Sequence, residues 1–76
     1  MLKIEINREP VELYKLLKFE GLAQSGGEAK SLIAAGMVKL NSSVETRKRK
    51  KVIGGDTISF DGQDYRVVFD GKVTDS

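Results

Sequence analysis

Five consecutive basic residues, Arg47, Lys48, Arg49, Lys50 and Lys51, stand between apolar stretches of the chain and not at either end. Any fold of this sequence must carry them on a surface segment anchored from both sides, because such side chains are almost never fully buried without partners. From Lys39 to Lys51 there are six bases and one acid, a balance of +5. The whole chain carries +2, which leaves −3 on the remainder, so the positive charge is concentrated. A cationic patch on a mildly acidic body favours one oriented polyanion, of which nucleic acid is the commonest. Fully extended, the run reaches about 16 Å, enough to follow several phosphates. Arg47 and Arg49 suit bidentate phosphate contacts, whereas Lys48, Lys50 and Lys51 act as point charges. Alternate residues of an extended segment face opposite ways, so three or four contacts to one surface are expected unless the segment bends. A solvated loop with no partner is the plainer reading of the same charges.

Length and residue usage remove several function classes. A chain of 76 residues has room for one domain. Its 39% hydrophobic and 32% charged content is that of a folded, soluble chain. There is no Cys and no His, which excludes disulfides and thiolate metal sites and removes the usual zinc ligand and neutral-pH proton shuttle. An enzyme is therefore disfavoured, and no cofactor or metal is expected. The N-terminus alternates apolar and charged residues, and no stretch approaches the roughly 20 apolar residues that span a bilayer, so a cytoplasmic protein without a membrane partner is expected.

Leu2, Ile4 and Ile6 alternate with Lys3 and Glu5, as in a half-buried strand. Pro10 fits the first turn of a helix predicted over about 10–20, with Val11, Leu13, Tyr14, Leu16 and Leu17 as its apolar stripe. Ser25 followed by Glu28 forms a capping box, with the serine hydroxyl accepting at Glu28 and the carboxylate reaching back to Ser25. That box opens a second helix over about 26–35, which Gly36 ends in the left-handed conformation. Residues 37–40 and 43–45 read as a hairpin around Asn41 and Ser42, and 57–60 and 63–69 as a second around Asp61 and Gly62.

The start of the second helix offers free amides and a favourable dipole for an anion. Gly26 and Gly27 leave that backbone open, and Lys30 adds charge one turn later, although Glu28 opposes a phosphate and capping alone explains Ser25. The string Gly26-Gly27-Glu28-Ala29-Lys30-Ser31 is not a nucleotide loop, since Ala29 replaces the required glycine. Asp61 to Asp64 lacks calcium-loop spacing.

Ser25, Ala29, Ile33, Gly36, Val38 and Asn41, with Gly55-Asp56 and Ile58, resemble the small RNA-binding domain named after ribosomal small-subunit protein S-four. The resemblance covers about residues 11–60. Stand-alone bacterial members of the YbcJ and YaaA type share the Glu-Thr-Arg-Lys-Arg segment found here at Glu45 to Arg49. The resemblance implies an α+β fold of the alpha-L type, with two helices packed on a short, mostly antiparallel sheet. It further implies RNA contacts from Ser25, Gly26, Gly27, Lys30, Lys39 and Arg47 to Lys51. Many members have Arg where this chain has Gly26, and Gly where it has Ser42. The first departure removes a contact, and the second implies modest strain or a different turn type.

The expected protein is a monomeric, non-catalytic RNA-binding module over residues 1–70, with a frayed tail at 71–76. It grips a structured RNA, ribosomal RNA among the candidates, through phosphates, and takes no small-molecule substrate. Rivals are an adaptor for an acidic protein surface, a DNA-binding accessory factor, an enzyme whose carboxylates converge on folding, and a nuclear import signal.

Overall fold

The computed structural model describes residues 1–70, so the frayed tail expected at 71–76 lies outside the described residues. The chain runs through β1 (Leu2–Ile6), β2 (Val11–Glu12), α1 (Leu13–Phe19), α2 (Gly26–Ala34), β3 (Val38–Leu40), β4 (Ser43–Val44), β5 (Lys51–Val52), β6 (Thr57–Phe60) and β7 (Gln63–Phe69). Five strands form one sheet in the order β1-β7-β6-β3-β4, and β2 pairs with β5 in a separate two-stranded ribbon. All pairings are antiparallel except β1 with β7, where Leu2 lies beside Tyr65 and Ile6 beside Phe69.

Four strands of the larger sheet contribute to one buried face, Ile4 and Ile6 from β1, Val38 and Leu40 from β3, Ile58 from β6 and Val67 from β7, whereas both residues of the edge strand β4 are exposed. Leu13, Leu16 and Leu17 of α1 and Ala29 and Ile33 of α2 complete that core at helical spacing. This is the predicted α+β arrangement.

The first helix is shorter than the sequence predicts. Pro10 does not open it, because Val11 and Glu12 are drawn into antiparallel pairing with Val52 and Lys51, and helical geometry begins at Leu13. The capping box also closes differently. The Glu28 N–H donates to Ser25 Oγ at 3.1 Å as expected, but the Glu28 carboxylate accepts from the Gln24 N–H at 2.6 Å instead of from Ser25.

Both hairpins turn on two residues of positive φ, 54° and 73° at Asn41 and Ser42 and 54° and 79° at Asp61 and Gly62, the type I′ geometry that matches strand twist. Asn41 does more than turn. Its side-chain amide donates to Asp56 Oδ1 at 3.0 Å and its Oδ1 accepts from the Thr57 N–H at 2.9 Å, fastening the β3–β4 turn to the segment that leads into β6.

Candidate nucleic-acid interface

The basic run is a turn, not an extended strand. The Lys50 N–H donates to the Arg47 carbonyl at 3.2 Å, and only Lys51 belongs to β5. The turn is held against the start of α1, where the Leu13 N–H donates to the Lys50 carbonyl at 2.8 Å and the Tyr14 N–H to the Lys48 carbonyl at 3.2 Å. These are two of the opening amides that a helix cannot satisfy internally, and Glu12 supplies no side-chain cap. The loop carbonyls thus face the helix. Arg47, Arg49, Lys50 and Lys51 border a shallow concavity of about 380 Å³ whose lining contains no acid. Lys48 is exposed but does not line it.

Within that group Arg47 is already engaged. Its Nε and Nη2 donate to the Glu45 carboxylate at 2.9 and 3.2 Å, and its backbone N–H donates to the same carboxylate at 3.0 Å. The side-chain hydrogen bonds from Arg47, followed by the backbone one, hold the Glu45 carboxyl below its ordinary range, and Glu45 in turn raises the Arg47 guanidinium. Arg49, Lys50 and Lys51 make no ion pair within the described residues.

The second predicted contact region lies at the start of α2, which places Ser25, Gly26, Gly27 and Lys30 together. Neither glycine is sterically required. A Cβ on Gly26 would meet the Tyr14 ring at 3.6 Å, and one on Gly27 would meet Ser25 Oγ at 3.8 Å, both ordinary contact distances.

Tyr14 joins the two regions. Its backbone holds the basic turn, its ring lies beside Gly26, and Lys30 Nζ sits 4.7 Å from the ring centre in cation–π geometry. Sequence reasoning allows Tyr14 to stack on a base but assigns it to no ligand, since its position in an apolar helical stripe reads as core. Glu45 was also missed, although an acid two residues before Arg47 was a usable signal.

Lys39 is placed apart from these groups. Its neighbours Val38 and Leu40 face the core, so Lys39 stands on the opposite face of the sheet, beside Val44 and Ser59 in the strand register. Among the described residues there is no cluster of acids that could hold a metal ion, and no helix is long and apolar enough to cross a membrane.

Two helices set on a mostly antiparallel sheet, with a capped second helix and an Asn-anchored hairpin, define a class of small domain. The chain belongs to the S4 domain family, whose model matches residues 4–68. It is 48% identical over 69 residues to "Putative RNA-binding protein YbcJ" of Escherichia coli (strain K12), covering 90% of this chain and 99% of that protein. The same values hold for the YbcJ protein of Shigella flexneri. The solution structure of YbcJ from E. coli, described as revealing an alfaL motif involved in RNA binding, superposes with a TM-score of 0.68 over 90% of this chain and 87% of that one.

Proposed function

We propose that this protein is a non-catalytic RNA-binding module that grips folded RNA through phosphate contacts. Residues 1–70 act as one unit, with Arg49, Lys50 and Lys51 as the principal contacts and Arg47 and Lys48 as secondary ones. Ser25, Gly26, Gly27 and Lys30 extend the same face by way of Tyr14, and Lys39 contributes from the far side of the sheet only to an RNA large enough to wrap it. The observation that carries the reading is the basic turn itself, hydrogen-bonded through its backbone to α1 and presenting Arg49, Lys50 and Lys51 without an ion pair among the described residues. Cations spaced around a turn held by backbone hydrogen bonds suit the irregular phosphate path of a folded RNA. The RNA-binding description of YbcJ, at 48% identity over nearly its whole length, supports the same partner class. Ribosomal RNA is the first target to test.

Arg49→Ala/Lys50→Ala should weaken binding to a structured ribosomal RNA fragment by at least tenfold in a fluorescence titration while leaving the unfolding midpoint unchanged. The wild-type log–log salt slope should lie at about −3 to −4, the value for about four phosphate contacts. Equal affinity for duplex DNA, or a flat salt response, would refute the proposal.

A further inference from the structure

We propose that two copies of this chain pair through the open edge of β1, extending their sheets into one. This inference is independent of the RNA reading. Strand β1 is an outer strand, with β7 on one side and, among the described residues, no strand on the other. The Asp70 N–H donates to the Ile6 carbonyl at 2.8 Å, which fixes the parity of the strand. In a parallel pair alternate residues turn both backbone groups to the neighbour, so Leu2, Ile4 and Ile6 serve β7 while Lys3 and Glu5 present theirs to the open edge.

The segment Leu2-Lys3-Ile4-Glu5-Ile6 is complementary to its own reverse. Antiparallel pairing about a two-fold axis at Ile4 sets Lys3 against the partner's Glu5, and Glu5 against the partner's Lys3. Those are also the residues whose free backbone groups must exchange hydrogen bonds, so backbone parity and charge select the same register. Moving the axis to Lys3 or to Glu5 would set like charges opposite each other. Neither side chain has a hydrogen bond or ion pair within the described residues to give up.

The apolar surface agrees. Leu2 stands on the core side of β1 yet is 52% exposed. In this register it lies opposite the partner's Ile6. In each copy Ile6 lines a cleft of about 660 Å³ whose apolar part is Pro10, Val11, Leu16 and the 66% exposed Phe19, within a mostly charged rim that includes Glu5, Arg8, Glu12, Lys15 and Lys51. Each Leu2 is thereby carried to the mouth of the other copy's cleft. A five-residue edge is smaller than a standard interface, so the dimer is weak, with a dissociation constant on the order of 0.1–1 mM. The monomer expected from the sequence is then the dilute form.

Sedimentation of the full chain up to about 1 mM tests this, with circular dichroism verifying that every variant is folded. The wild type should dimerise. Lys3→Glu and Glu5→Lys should each weaken self-association about tenfold or more, because each replaces both attractive pairs by repulsive ones. An equimolar mixture of the two single variants, and the double variant Lys3→Glu/Glu5→Lys alone, should recover dimers. A wild type that stays monomeric throughout, single variants that associate as well as the wild type, or a mixture that gains nothing over its components would each overturn the proposal.

Discussion

Glu45 holds the Arg47 guanidinium through two of its nitrogens, on the rim of the surface that Arg47 would otherwise offer to a phosphate. The carboxylate is the more sheltered partner, with 12% of its side chain exposed against 70% for Arg47, so the pair leans toward the protein. Glu45→Gln should release Arg47 and raise RNA affinity by roughly threefold, the scale of one exposed ion pair, with little change in the unfolding midpoint. Fluorescence titration and urea unfolding would measure the two effects. The sign of the pH dependence follows from the lowered Glu45 carboxyl. The pair's contribution to stability is fully present above the ordinary glutamate range and is lost as pH falls through the lower folded value. Acidification into that range should therefore strengthen RNA binding of the wild type, a gain that Glu45→Gln lacks. The five cations themselves were legible as a surface segment, because charge cannot be buried unpaired. The engagement of Arg47 by Glu45 was signalled only by their spacing, since a bend in the backbone decides whether residues two apart can meet.

Among the elements, the β3–β4 hairpin carries the clearest local cost. Ser42 adopts φ 73° in a two-residue turn that suits glycine. Ser42→Gly should stabilise the protein by up to about 1 kcal/mol, read as a rise in urea midpoint, with no change in RNA affinity. Turn residues and capping residues announced their elements well. Asp61-Gly62, Asn41-Ser42 and Ser25 with Glu28 each act within a few positions of themselves, and each stands where the sequence predicted it. The start of α1 was misread for the converse reason. Val11 fits a helical stripe as readily as a strand, and the deciding partner, Val52, lies far along the chain.

Across the whole molecule, the parallel union of β1 with β7 joins the first strand of the described chain to its last. No local pattern encodes that choice. The alternation of residues 2–6 specified a strand with one buried face but not which neighbour it would take. Ile4 is 1% exposed at this junction, and Ile4→Ala should cost about 2–5 kcal/mol, a large share of the roughly 5–10 kcal/mol that holds a domain of this size. Chemical denaturation should show the loss. Because the basic turn sits elsewhere, the folded fraction of Ile4→Ala should bind RNA with wild-type affinity.

The hydrogen bonds from the first turn of α1 to the carbonyls of Lys48 and Lys50 have a consequence for how a ligand is chosen. Peeling the turn away to embrace a flexible strand would strand those amides without acceptors, so the protein meets its ligand as a die meets a blank and does not mould itself. Whatever ordering the encounter requires falls on the nucleic acid, and an RNA whose tertiary structure already sets its phosphates at the right intervals starts with that entropy forgone.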